Sequence, residues 1–225
     1  MITNKEIKFL KSLSYKKYRY EHKLFLVEGL RLIEELLNSN STINQLWTTE
    51  DFLNDNPSIK KKLQQYSNIA LIDEKYFHQI LNTENPQYIM ASLPIEQSSL
   101  EKITTNNLLA SRSVLILDGL SDPGNMGSLL RSAVWYGFDT IILSNNCVDV
   151  YNPKVVRSAM GAHFYISNII TGDLIKIVKN LKINKYRVIG ATLDGTPYKK
   201  IEINHDHWGL ILGNEAHGIR KELYN

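Results

Sequence analysis

The chain reads as an α/β protein of two domains: a small amino-terminal α/β domain, then a mostly parallel sheet with helices on both faces. Three observations carry that reading. After residue 113, short continuous apolar runs alternate with helical patterns, as in βαβ units. Before residue 96, short strand and helix patterns alternate around apolar stripes of their own. Between them, Gln97 to Arg112 is polar, with Ser98, Ser99, Thr104, Thr105, Asn106 and Asn107, and reads as a linker. The expected division is therefore 1–96, a linker over 97–112, and 113–225.

In the first segment Ile7, Leu10 and Leu13 form one apolar stripe, Leu24 to Val27 a strand, and Leu30, Ile33, Leu36 and Leu37 a helix face. Ile43 to Thr48, Ile69 to Ile72 and Ile89 to Leu93 are further strands, with helices over Asp51 to Tyr66 and Glu74 to Leu81. In the second segment the strand runs are Val114 to Leu117, Thr140 to Leu143, Arg187 to Gly190 and Gly209 to Leu212. Leu174, Ile175, Val178 and Leu181 mark the clearest intervening helix.

The stretch from Ser113 to Gly137 organises the rest. A buried strand ends at Asp118 and Gly119, and Asp122, Pro123, Gly124 and Asn125 supply turn formers and a cap. The following helix buries Met126, Leu129, Leu130, Ala133 and Val134, which leaves Ser128, Arg131 and Trp135 together on the other side. A helix start beside a Gly loop at the end of a parallel strand suits an anion. The dinucleotide fingerprint is incomplete, since only Gly124 and Gly127 are correctly spaced, and the phosphate-loop Lys is absent after Gly127.

The 225 residues are 43% hydrophobic and 22% charged, ordinary for a globular protein, with a net charge of +3. That balance is compatible with nucleic acid without requiring it. The one cysteine, Cys147, excludes an intrachain disulfide. No apolar run is long enough to span a bilayer, and the amino terminus has no signal-peptide core, so the sequence reads as cytoplasmic.

Three stretches resemble one family. DPGNMGSLLRSAVWYGFD is similar to the first signature motif of the SpoU-type (TrmH-like) RNA 2′-O-ribose methyltransferases of the SPOUT superfamily. YNPKVVRSAMGAHF, from Tyr151 to Phe164, resembles that family's second conserved segment, and LILGNEAHGI, from Leu210 to Ile219, its cofactor-loop motif. FLVEGLRLIEELL and NPQYIMA resemble, more loosely, the family's amino-terminal substrate-binding domain, similar in fold to small ribosomal RNA-binding proteins; Tyr88 stands where the family commonly has Gly. The resemblance implies a SPOUT-like, trefoil-knot type domain, S-adenosylmethionine as methyl donor, an RNA substrate, ribosomal in preference to transfer RNA, and a homodimer where the family's carboxyl-terminal segment is present.

It also implies roles for particular residues. Arg131, Asn125 and Glu215 occupy the family's polar catalytic positions. Because a guanidinium rarely gives up its proton, Arg131 is read as a clamp on a phosphate or oxyanion, with Glu215 either pairing with Arg131 or fixing Asn125. Gly213, flanked by Leu212 and Asn214, would let main chain approach the adenosyl group closely, and Thr192 and Leu193 would form second walls of that pocket. An in-line methyl transfer asks mainly that oxygen, carbon and sulfur be held in a row.

Charge points to where RNA would lie. Lys5, Lys8, Lys11, Lys16, Lys17, Arg19 and Lys23 are opposed by Glu6 and Glu21, with Tyr15, Tyr18 and Tyr20 interleaved, a mix suited to an RNA backbone and unpaired bases or else to a solvated helix and loop. Lys16, Lys17, Arg19, Lys154 and Arg157 are the expected RNA contacts, with Ser158 beside the last two. Lys60, Lys61 and Lys62 read as the exposed face of a helix. His205 and His207 lack a third ligand at zinc spacing, His163 and His217 read as structural, and no metal is expected.

The resembled family continues past this loop to another strand, a Ser-Leu-Asn motif and a final helix, whereas this sequence ends at Asn225. The expectation from sequence is a chain truncated at its carboxyl end, either a fragment or a natural truncation, with weak or no cofactor binding and an exposed apolar sheet surface if that segment is absent. A non-catalytic RNA-binding protein is therefore the competing reading, and a dinucleotide-dependent enzyme a third.

Overall fold

A computed structural model describes residues 2–96, 111–200 and 206–223. Most of the expected linker and His205 lie outside the described residues. The chain forms two compact units, residues 1–96 with 149–164 and residues 97–148 with 165–225. The division differs from the sequence expectation in one respect: the stretch 149–164, read as part of the second domain, packs with the first unit.

In the first unit α1 (Asn4–Ser12) starts at a capping box, in which the Thr3 hydroxyl accepts from the Glu6 amide and the Glu6 carboxylate accepts from the Thr3 amide. It is followed by α2 (Lys16–His22), β1 (Leu24–Glu28), α3 (Leu30–Asn38) and β2 (Gln45–Thr48). The single helix expected over Asp51 to Tyr66 is two, α4 (Glu50–Asp55) and α5 (Pro57–Leu63). Pro57 is the reason: the residue before a proline is pushed out of helical geometry, and Asn56 has φ −125° and ψ 69°. Next come β3 (Ile69–Leu71), α6 (Glu74–Ile80) and β4 (Ile89–Pro94).

These strands form a sheet in the order β1-β4-β2-β3. β4 pairs antiparallel with β1 and β2, and β2 pairs parallel with β3. Ile7, Leu10 and Leu13 bury against Trp47, Ile72, Phe77, Ile80 and Met90, which makes the predicted α1 stripe part of the core.

The second unit contains β5 (Ser113–Asp118), α7 (Pro123–Trp135), β6 (Thr140–Ser144), β7 (Asn168–Gly172), α9 (Leu174–Ile183), β8 (Arg187–Gly190) and β9 (Trp208–Gly213). All five strands run parallel, in the order β7-β6-β5-β9-β8. β7 escapes sequence reading because Asn168–Gly172 holds only two consecutive apolar residues, Ile169 and Ile170. One face of the sheet, with Val114, Ile116, Ile142, Ile170 and Ile211, buries Leu174, Ile177, Val178 and Leu181 of α9. The alternate residues Leu115, Leu117, Ile141 and Leu143 are buried as well, so β5 and β6 are covered on both faces, whereas Leu210 and Leu212 of β9 and Val188 and Ile189 of β8 are half-buried. On α7 Met126, Leu130 and Ala133 are buried as expected, while Leu129 and Val134 are half-buried. No helix among the described residues is long and apolar enough to cross a membrane.

The stretch 149–164, with α8 (Pro153–Ala159), is tied to the first unit by buried polar contacts. Asp149 forms an ion pair with Arg19, which is 2% exposed. Arg19 also donates to the Leu13 and Ser14 carbonyls at 2.8 and 2.7 Å, where α1 ends. The Tyr20 hydroxyl donates to Asp149 at 2.9 Å, and burial together with that carboxylate raises the Tyr20 pKa. Tyr151 packs on Phe25, and Arg157 pairs with Glu28 at 3.1 Å. His163 lies against Phe25 and Tyr151, with Nε2 bonded to the Val150 carbonyl at 2.8 Å and Nδ1 buried without a partner among the described residues.

Two outcomes are expected of this packing. Arg19→Ala leaves the Asp149 carboxylate buried without its cation, at a cost of about 3–5 kcal/mol in urea denaturation. Burial pushes the His163 pKa down to about 4 from 6.5, so between those values the unfolded chain holds more protons than the folded one. Stability therefore declines as pH falls from about 6.5 to about 4, and His163→Gln flattens that part of the profile in thermal melts taken across the range.

Candidate active site

The site grows from the carboxyl ends of β5 and β9, adjacent parallel strands in the middle of the sheet. In open parallel sheets ligands bind beyond the carboxyl ends of the strands. Asp118, the last residue of β5, is 1% exposed and accepts from the Arg220 main-chain amide at 3.0 Å and from Arg220 Nε at 2.8 Å. Gly119 follows with φ +72°, a conformation that favours glycine. Its amide donates to Ser144 Oγ at 2.8 Å and its carbonyl accepts from Asn214 Nδ2 at 2.7 Å, which ties the ends of β5, β6 and β9 together.

The loop after β9 closes on itself. Asn214 and Gly218 exchange main-chain hydrogen bonds at 3.0 and 2.9 Å, and the Asn214 side-chain oxygen accepts from the amides of Ala216 and His217. A Cβ at Gly213 would lie 2.1–2.3 Å from the main chain of Gly218 and Ile219. The glycine expected to admit an adenosyl group is thus already required by the folding back of the protein's own loop. Asn214, assigned to the cofactor from sequence, has its side chain committed to holding that loop.

The β5–α7 loop also meets this one at Glu215. Asp122 caps α7 by accepting from the Asn125 amide at 2.7 Å, with Pro123 in the first turn. Asn125 Nδ2 then donates to Glu215 Oε1 at 3.1 Å. The carboxyl of Glu215 is held below the usual carboxylate range, first by its own main-chain amide and then by Asn125 and the amides of Asp122 and Ser121. Of the two roles foreseen for Glu215, it fixes Asn125. No ion pair joins it to Arg131.

Arg131 lies six residues beyond Asn125, about 9 Å further along α7 at 1.5 Å per residue. It forms no hydrogen bond or ion pair with a described residue, and it lines an open concavity of about 460 Å³ with Ser128, Ser132, Trp135 and Tyr136. Trp135 is 85% exposed. Leu212 is half-buried on β9, while Thr192 and Leu193 stand exposed just after the neighbouring β8. These exposed or half-buried apolar groups and the glycine-floored loop fit an adenosyl moiety in chemistry.

The expected RNA contacts divide. Lys16, Lys17 and Lys154 are exposed, and Arg157 keeps part of its surface beside the Glu28 pair. Arg19 is corrected: a guanidinium buried against Asp149 and two carbonyls is not available to a phosphate. Sequence reading also missed Arg220 and Asp118, although a carboxylate closing an apolar strand run was a signal that a cation must reach it. Among the described residues no group of His, Cys, Asp or Glu is placed to hold a metal.

Residues 112–225 match the family model described as the SpoU rRNA Methylase family, and residues 4–91 match an MRM3-like substrate binding domain. The 23S rRNA (guanosine(2553)-2′-O)-methyltransferase RlmP of Bacillus subtilis is 33% identical over 221 residues, covering 98% of this chain and 83% of the relative. The mitochondrial rRNA methyltransferase 3 of Homo sapiens is 30% identical over 148 residues, 65% of this chain and 35% of that longer protein. Among solved structures, an RNA methyltransferase of the TrmH family from Porphyromonas gingivalis superposes with a TM-score of 0.81 at 28% identity, over 100% of this chain and 85% of that one. An AdoMet-bound rRNA methyltransferase from Sinorhizobium meliloti gives 0.81 at 25% identity, over 100% and 83%. Both the geometry at the ends of β5 and β9 and these likenesses lead to one assignment: the chain belongs to the SpoU rRNA methylase family.

Proposed function

We propose that the chain transfers a methyl group from S-adenosylmethionine to a ribose 2′-hydroxyl of ribosomal RNA. The observation that carries this reading is the Asn125–Glu215 bond, which locks the capped α7 start to the loop after β9 while Arg131 keeps no internal partner. The RlmP relative acts on 23S rRNA and the Sinorhizobium relative is AdoMet-bound, which supports both substrate and donor. A ribosomal RNA substrate also favours the cytoplasm as the working compartment.

Bound S-adenosylmethionine would supply the electrophilic methyl group. Gly213, Leu212 and the Asn214 loop form the floor of its pocket, and Thr192 and Leu193 its rim. Arg131 remains cationic at any working pH, so its part is to hold a phosphate or the attacking oxygen and to favour the build-up of negative charge there. Glu215, ionised through the neutral range, keeps Asn125 and the α7 start in place, and orientation is what an in-line displacement needs most. Lys16, Lys17, Lys154 and Arg157 hold the RNA backbone. A homodimer is part of the same reading, supported by the exposure of Trp135 and Tyr136 at the end of α7.

The test is transfer of labelled methyl from S-adenosylmethionine to ribosomal RNA. Arg131→Ala is expected to lower the rate by about 10²–10³ while calorimetry shows donor binding unchanged. Gly213→Ala forces the Gly218 main chain away and is expected to abolish donor binding. A folded wild-type chain that binds RNA and neither binds the donor nor transfers methyl would refute the enzyme reading. Trp135→Glu is expected to shift a sedimenting dimer to monomer.

A further inference from the structure

The basic, tyrosine-rich strip read from sequence is sorted by the structure into two sets. Arg19 and Tyr20 turn inward to Asp149. Tyr15, Tyr18 and His22 remain on the surface of α2 and its start, with Phe9 of α1 continuing the row. Tyr15 is 65% exposed and Tyr18 37%. The rings follow one another: Phe9 and His22 at 4.9 Å, His22 and Tyr18 at 6.4 Å and within 11° of parallel, Tyr18 and Tyr15 at 6.5 Å.

The charges around this row are positive and unspent. Lys5, Lys8, Lys11, Lys16, Lys17 and Lys23 are all exposed and none forms an ion pair with a described residue. Of the two acidic residues nearby, Glu6 is occupied by the Thr3 cap. Lys17 Nζ sits over the Tyr18 ring, 5.5 Å from its centre, and Lys16 Nζ over the Tyr20 ring at 5.8 Å, so cations and rings alternate along the strip. A row of exposed ring faces flanked by free ammonium groups complements a polymer with flat aromatic groups and a phosphate at every step. A duplex keeps its base faces stacked on one another and offers phosphates, 2′-hydroxyls and base edges, so those faces are closed to the rings.

We infer that the Tyr15–Tyr18–His22 row is a stacking platform for an unpaired stretch of RNA, distinct from the residues that carry out methyl transfer. The inference rests on the reading of the chain as acting on RNA, and it narrows the substrate to RNA with a single-stranded segment. Base–aromatic stacking tolerates any sequence, so the platform selects strandedness and leaves base identity unread.

The experiment is fluorescence anisotropy of a labelled single-stranded oligoribonucleotide and of a hairpin duplex of equal length, titrated with the full chain without methyl donor. The double variant Tyr15→Ala/Tyr18→Ala is expected to weaken single-strand binding about tenfold or more and to leave duplex binding unchanged. Tyr18→Phe keeps the ring and retains binding, which separates stacking from a folding defect. Lys17→Gln is expected to reduce the salt dependence of binding by about one ion, whereas the tyrosine variants leave it alone.

Equal losses on duplex and single strand, or no loss on either, would overturn the platform. So would a change of oligomeric state in the double variant with RNA binding intact, since the row would then be a contact between copies. Because binding is read without donor, a wild type that shows the strand preference there and transfers no methyl once S-adenosylmethionine is supplied would sink the enzyme reading alone. Undiminished methyl transfer at limiting RNA by the double variant would sink the platform alone.

Discussion

The site depends on a buried carboxylate at the end of the central strand. Asp118 closes an apolar run with its side chain in the interior, where an unpaired charge is not tolerated. Arg220, 102 residues later, answers it with both main-chain amide and guanidinium. That double bond fixes the chain just past the Asn214–Gly218 turn, and charge-assisted bonds of this kind contribute about 1.5–3 kcal/mol each. Gly119 next door adds the Asn214 tie, so the loop after β9 is held from both of its sides by the end of β5. Only then can Glu215 project from the loop to meet Asn125.

The first unit solves a like problem with a like device. Asp149 is buried and receives Arg19, the Tyr20 hydroxyl and the Tyr151 amide. Here the cation also satisfies the carbonyls of Leu13 and Ser14 just past the end of α1, so one guanidinium both neutralises a charge and holds the turn out of a helix. Arg19 and Lys17 are two residues apart on one short helix, yet one is interior and the other in water. The fork of a guanidinium can serve a carboxylate and two carbonyls at once, while the exposed lysines are left to act as a diffuse positive surface.

Much of this was legible from residues alone. Apolar runs found four of the five parallel strands, most clearly β5 and β6, which are buried on both faces and so continuously apolar. Asn168–Gly172, short and mixed, was not found. The spacing on α7 placed Arg131 with Ser128 and Trp135 on one side, as observed. Pairing across long separations was not legible: nothing local distinguishes Arg19 from its basic neighbours, and nothing near Asp118 names Arg220. Gly213 was singled out for close approach to an adenosyl group, and sequence could not say that the chain's own Gly218 main chain already lies against its Cα.

The placement of residues 149–164 in the first unit has a consequence for the chain as a covalent object. The polypeptide leaves the first unit after residue 96, returns at 149 and leaves again after 164. No single cut therefore yields two self-sufficient pieces: severed near residue 100, the amino-terminal piece keeps Arg19 and Phe25 and loses Asp149, Tyr151 and His163. Recombination or engineering that swaps one half for another would have to carry this short return segment with the half to which it does not belong in sequence.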